Sequence, residues 1–431
     1  MRTPIYDFVK GYSEGGVARL HMPGHKGRAA IGIEGLDITE IGGADVLYSA
    51  KGIIGESEQN ATRLFKTSHT YYSTEGSTLA IKAMLMIIVK ARGMGDKTVV
   101  LAARNVHRSF VDAAALLDID VEWLFGESRS LCECKITPDA VRIALGKMDK
   151  LPSALYLTSP DYLGNIADIA GISAVCDEFS IPVIVDNAHG AYLAFLEPSR
   201  HPIALGAAMC ADSAHKTLPV LTGGAYLHIS EKYSSYNEYA RESLSVFAST
   251  SPSYLTLASL DLCNKYLSDS YAEKLSECIA RIQRIRERFS LANTVEPLKI
   301  VIPCPVESEL RACGIECEMC DGESTVLMIS PNNTDDELNK LFLALDSLDI
   351  KGSVAKGEFL LPPAKRAMSI RMAYMTGSEK IPVSESLGRI SATPTVSCPP
   401  AVPIVVAGEV INEAHINAFL RYGVEEISVI K

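Results

Sequence analysis

The chain has 431 residues, 47% of them hydrophobic and 22% charged, which is ample for two or three globular domains and unlike a disordered or fibrous protein. Its formal net charge of −11 argues against nucleic acid or an anionic membrane surface as partner and suits a small cationic ligand. Eleven cysteines, odd in number and without framework spacing, fit a reducing cytoplasm better than a disulfide scaffold.

The start, Met1-Arg2-Thr3-Pro4, has no apolar signal-peptide core. The most apolar helical run, 79–89, contains Lys82 and is too short to span a bilayer, so a soluble, cytoplasmic protein is expected. Residues 1–60 are rich in glycine and lack sustained periodicity, which predicts an irregular N-terminal arm. Within it, His21-Met22-Pro23-Gly24-His25-Lys26-Gly27 is either a turn carrying solvated bases or part of a site. Next, Glu75-Gly76-Ser77-Thr78 leads straight into the apolar run. A small-residue turn that opens a helix presents backbone N–H groups and the positive end of the dipole to a phosphate. Ser77 or Thr78 is expected to cap that helix with its hydroxyl.

Alternation then sets in, with strands expected at 98–102, 121–125, 154–160, 182–186 and 223–229. Helices are expected at 109–117, at 137–145 with Thr137 as cap and Pro138 in the first turn, and at 168–180. Such alternation predicts βαβ units and a mostly parallel sheet covered by helices on both faces. A helical, increasingly charged stretch at 251–290 reads as a solvated linker helix. A smaller α+β domain is expected from about 296, with strands at 298–302, 325–329 and 403–406 and helices near 334–348 and 411–421. The expected division is an arm (1–60), a large domain with linker helix (61–295) and a small domain (296–431).

Two positions concentrate the chemistry. Lys216 follows a small apolar run and precedes a Thr-Leu-Pro break, where desolvation frees a lysine amine for Schiff-base formation. Asp186 ends the apolar run 181–185 abruptly, placing an acid at the C-terminal edge of a core strand, where open α/β sheets hold ligands. A Schiff-base lysine and a carboxylate able to pair with a pyridinium nitrogen are what pyridoxal 5'-phosphate (PLP) requires.

Ser-Ala-His-Lys-Thr-Leu-Pro (213–219), Val-Asp-Asn-Ala-His-Gly (185–190), His-Met-Pro-Gly-His-Lys-Gly (21–27) and Asn-Val-His-Arg-Ser (105–109), in this order, resemble the Orn/Lys/Arg decarboxylases, in particular their short bacterial members. The resemblance implies fold type I of the PLP-dependent transferases. It also implies decarboxylation of arginine, lysine or ornithine to agmatine or a diamine, through a Schiff base on Lys216. By the same resemblance Gly76, Ser77, Thr78, His107, Asp186, Ala188, Ser213, His215, Lys216 and Thr222 bind the cofactor, with His107 stacking on its ring, and Lys216, His215 or His189 returns a proton to Cα. A homodimer with active sites at the subunit interface is implied, and no metal. Departures stand at Asp161 (for threonine), Gly223 and Ala225 (for glutamine and serine), Cys398 (for tyrosine) and Ala401 (for glycine). Another PLP enzyme of this fold, an aminotransferase or lyase, and a non-catalytic homologue are the alternatives. Cys313, Cys317 and Cys320 have the spacing of a radical S-adenosylmethionine cluster motif, but they fall late in the chain with no barrel-like series of strands, and they read as incidental.

Overall fold

The computed structural model describes residues 1–431 apart from 29–30, 94, 96, 292–295, 349, 351–358, 360 and 397–399, and apart from the side chains of 395–396. Cys398 therefore lies outside the described residues. Seven strands carry the α/β fold: β1 (His69–Ser73), β2 (Val99–Ala103), β3 (Asp120–Leu124), β4 (Ala154–Thr158), β5 (Val183–Asp186), β6 (Met209–Asp212) and β7 (Ala225–Ile229). Their pairing is mostly parallel, as the alternating pattern predicts. By its internal contacts the chain divides into two compact units, 1–93 with 184–274, and 94–183 with 275–431.

In the first unit the strand order is β1-β7-β6-β5. β6 pairs in parallel with β5, and β7 runs antiparallel to both β6 and β1. The C-terminal ends of β1, β5 and β6 therefore meet the N-terminal end of β7 at one edge. Every strand residue here except His69 is buried, which is why the strands read as near-continuous apolar runs rather than alternating ones.

The expected irregular arm is only partly irregular. Helices α1 (Pro4–Glu14) and α2 (Ile53–Phe65) form at its ends, and the described residues of 15–52 hold neither helix nor strand. Pro4 sits in the first turn of α1, and Ile5 and Val9, four apart, bury one face. The carboxylate of Asp261 accepts from the N–H groups of Ile5 and Tyr6, an N-terminal cap supplied from far along the chain and invisible locally. Asp45 does the same for α2, accepting from Gly52 and Ile54 at 2.7 and 3.0 Å.

In the second unit β4-β2-β3 are parallel. Thr137 caps helix Pro138–Gly146, as its sequence predicts, and Asp168 caps Ile169–Glu178. A three-stranded antiparallel sheet (Lys299–Ile302, Thr325–Met328, Met319–Cys320) and the pair Ser378–Pro382 with Glu426–Ile430 complete its strands among the described residues, together with the short pair Thr395–Val396 and Pro403–Val405. The stretch read as one solvated linker helix is two helices, Tyr254–Asp269 and Tyr271–Arg288. Far from being wholly solvated, the latter buries Leu275, Cys278, Ile282 and Ile285, spaced three and four apart. Arg286 is buried too, its guanidinium donating to the carbonyls of Glu296 and Lys299.

Candidate active site

The loops at the shared strand edge of the first unit carry most of the expected site residues. Helix α3 (Gly76–Arg92) begins at the turn after β1. The expected hydroxyl cap from Ser77 or Thr78 is absent: Glu75 occupies the N-cap position and makes no side-chain cap bond. Instead Ser77 Oγ is 2.7 Å from Ser213 Oγ, tying the helix start to the end of β6, while Thr78 is exposed. A positive helix end without a side-chain cap, next to two hydroxyls, is suited to a phosphate.

Gly223 explains one departure from the family pattern. It has φ of +95°, and a Cβ there would stand 2.7 Å from the Thr74 carbonyl oxygen. Its own carbonyl accepts from the Gly76 N–H at 2.7 Å. A larger residue would push the loop before β7 away from the turn before α3. Thr222, beside it, is exposed.

Asp186 is buried at the end of β5, and its Oδ1 accepts from the Ala188 N–H at 3.2 Å. Three residues on, Nε2 of the buried His189 lies 3.0 Å from Lys216 Nζ. Lys216 sits on a single helical turn, Ala214–Thr217, rather than on an open loop. Beside it, His215 directs Nδ1 at the Gly224 carbonyl at 3.0 Å, which makes Nδ1 the protonated nitrogen of the neutral ring and leaves Nε2 as an acceptor. A half-buried amine, an imidazole in contact with it, a buried carboxylate on the adjoining strand and an open helix N-terminus are the parts that PLP needs. The residues fit the cofactor.

Sequence reading missed Asn187 and the group it leads to. Asn187 Nδ2 donates at 2.7 Å to Oδ1 of Asp212, which is fully buried. Asp212 Oδ2 lies 3.0 Å from His201 Nε2 and 3.2 Å from His228 Nε2. Burial raises the carboxyl pKa, but the two imidazoles outweigh it and hold the group well below the usual carboxylate range. The only sequence signal was the polar alternation Cys210, Asp212 in an otherwise apolar strand.

Within the second unit, His107 caps helix α4 (Arg108–Leu117), its Nδ1 accepting from the Ser109 N–H at 3.1 Å, so its ring is fixed in orientation. Asp161, a departure from the family pattern, turns inward and builds its own loop. It accepts from the N–H groups of Leu163 and Asn165, both at 2.9 Å, and from Asn165 Nδ2 at 2.8 Å. Burial pushes its pKa up to about 6, against the lowering effect of the Asn165 bonds. A folded-state pKa above the unfolded one gives stability that is present at low pH and lost as pH rises through 6. Relative to Asp161→Asn, wild-type unfolding free energy should therefore drop by about 3 kcal/mol between pH 4 and pH 8. Urea titrations across that range check this; parallel pH profiles for the two proteins would refute it.

Ala401, another departure, has φ of +56°, the left-handed region that glycine enters freely, and its carbonyl accepts from the Arg108 N–H. In the arm, His25 pairs with Asp37 at 3.1 Å and Lys26 donates to the His21 carbonyl, both bonds holding local turns. Cys313 is exposed and Cys317 and Cys320 half-buried. Among the described residues these three form no group able to hold a metal. No helix among the described residues is long and apolar enough to cross a membrane.

Residues 3–334 match the model of the Orn/Lys/Arg decarboxylase major domain, and residues 359–427 that of its C-terminal domain. An arginine decarboxylase of Bacillus subtilis is 28% identical over 97% of this chain and 93% of its own length. An arginine decarboxylase of Halalkalibacterium halodurans is 29% identical over the same shares. Among solved structures, the Francisella novicida lysine decarboxylase LdcF has a similar fold, with a TM-score of 0.80, 17% identity, and coverage of 100% of this chain and 81% of that one.

Proposed function

Since the chain belongs to the Orn/Lys/Arg decarboxylase family, and is with it a PLP-dependent decarboxylase of basic amino acids, we propose that Lys216 is its cofactor lysine and arginine its substrate. The contact of Lys216 Nζ with His189 Nε2, at the edge where Asp186 ends its strand, carries this reading. Arginine is favoured by the names of the relatives that match over nearly the whole chain.

When bound, PLP supplies the electron sink for the pair left on Cα as CO2 departs. The rest is the work of the chain. Lys216 offers the anchoring amine. Asp186 keeps a fixed negative charge where the ring nitrogen must stay protonated, and the Ala188 N–H orients that carboxylate. The N-terminus of α3, Ser77 and Ser213 receive the phosphate. His189 holds the proton exchanged with Lys216 Nζ, and His189, His215 or Lys216 returns a proton to Cα. The family resemblance extends the reading to a homodimer whose sites are completed by the neighbouring subunit.

Incubating the protein, loaded with PLP, with arginine, lysine and ornithine tests the reading. CO2 release with arginine at a kcat/KM at least tenfold above the other two is expected. Keto acid without CO2 would point to an aminotransferase, and inertness towards all three would overturn the proposal.

A further inference from the structure

On the sheet face opposite Asp186 lies a cluster that the decarboxylation does not use. Cys210 and Asp212 alternate on β6, and Cys210 stands directly across from His228 on β7. Because Asp186 pairs with Ala211, its side chain projects to the other face. His201 joins the cluster from the turn that precedes β6. All four residues are buried, and their ligand atoms lie within 4.8 Å of one another.

The geometry points to a closed structural metal site: we propose that His201, Cys210, Asp212 and His228 bind one borderline-soft divalent cation, zinc by preference. Two imidazoles, a thiolate and a carboxylate are the donor types that zinc takes in four-coordinate tetrahedral sites. Metal–ligand lengths of 2.0–2.3 Å put tetrahedral donors roughly 3.3–3.6 Å apart. Here His201 Nε2 and His228 Nε2 are 3.0 and 3.2 Å from Asp212 Oδ2, and Cys210 Sγ is 3.7 Å from His201 Nε2. Shifts well under an ångström would open the cluster around an ion.

The surroundings match. Thr70 Oγ1 is 2.9 Å from His228 Nδ1 and 2.8 Å from Thr67 Oγ1, which turns His228 Nε2 inward. Asn187 secures the second oxygen of Asp212. Such outer partners orient metal ligands. The Phe65 ring lies 4.6 Å from the His228 ring and 5.7 Å from that of His201, forming a dry wall. Charge points the same way. Among the described residues the ion-pair partners of Asp212 are both histidines, whereas a divalent ion with one carboxylate and one thiolate is neutral, as a dry core requires.

Burial on all sides means that the ion enters during folding. Bound, it would join the His201 turn, β6 and β7 just behind the loop that bears Ser213 and Lys216. The test is the metal content of the PLP-loaded protein purified from zinc-replete and zinc-depleted cultures. About one zinc per chain, retained through dialysis against EDTA, and a higher Tm for the replete protein are expected. Cys210→Ser and His201→Gln should each lower zinc content at least tenfold, while Cys317→Ser, at the half-buried cysteine elsewhere, leaves it unchanged. Cobalt-grown wild-type protein should show a thiolate charge-transfer band that Cys210→Ser lacks. Less than a tenth of a zinc per wild-type chain with no difference in Tm, or variants that keep wild-type zinc, would overturn the proposal. The wild-type arm decides even if a variant fails to fold. In either case the four residues would then be a hydrogen-bonded cluster centred on the Asp212 carboxylate.

Discussion

Replacing Lys216 by alanine should abolish covalent attachment of the cofactor and lower kcat/KM roughly 10⁴-fold or more, because the anchoring amine and the proton it exchanges are lost together. The fold should survive. Lys216 is half-buried on a one-turn helix, and its truncation should cost no more than about 1 kcal/mol. Mass spectrometry after borohydride reduction is the direct measurement: wild type should carry the cofactor mass on the peptide containing Lys216, and the variant none. Attachment to a different lysine, or decarboxylation surviving in Lys216→Ala, would dismantle the proposed site.

Asp186→Asn should act differently. The amide has the same shape and can still accept from the Ala188 N–H, so the cofactor should remain attached to Lys216. On the proposed role, what disappears is a buried carboxylate charge that would pair with the ring nitrogen, and the loss of one preorganised electrostatic contact at a reacting centre costs about 10²–10³ in kcat. Steady-state kinetics on protein with verified cofactor loading separates the two variants. A rate within threefold of wild type would remove Asp186 from the mechanism. Loss of bound cofactor would instead mark it as an anchoring group.

The N-cap arrangements at Thr137, Asp168 and Thr334 show what local chemistry makes legible. In each, a side chain accepts from a backbone N–H three residues on, so the signal and the structure it produces lie within one helical turn. Helix α1 shows the opposite case. Its first N–H groups are satisfied by Asp261, more than 250 positions away, so Pro4 and the pair Ile5 and Val9 were the local signs of a helix in a stretch otherwise rich in glycine. Ser77 was misjudged for a related reason. Its hydroxyl is equally able to cap its own helix or reach Ser213, and only the closure of the sheet decides between them.

By itself the sequence determined the α/β class and the strand that ends in Asp186, and it singled out Lys216 and Asp186 as the candidate amine and acid. Apolar runs that stop at a polar group report burial without any knowledge of neighbours. The tertiary structure alone decided that His189 touches Lys216, that the residue at 223 must be glycine, and that His201, Cys210, Asp212 and His228 share one buried space. Each of those depends on which strands lie side by side and in what register. Pairing of that kind joins residues between 9 and 149 positions apart, a range over which one chain's local pattern carries no information.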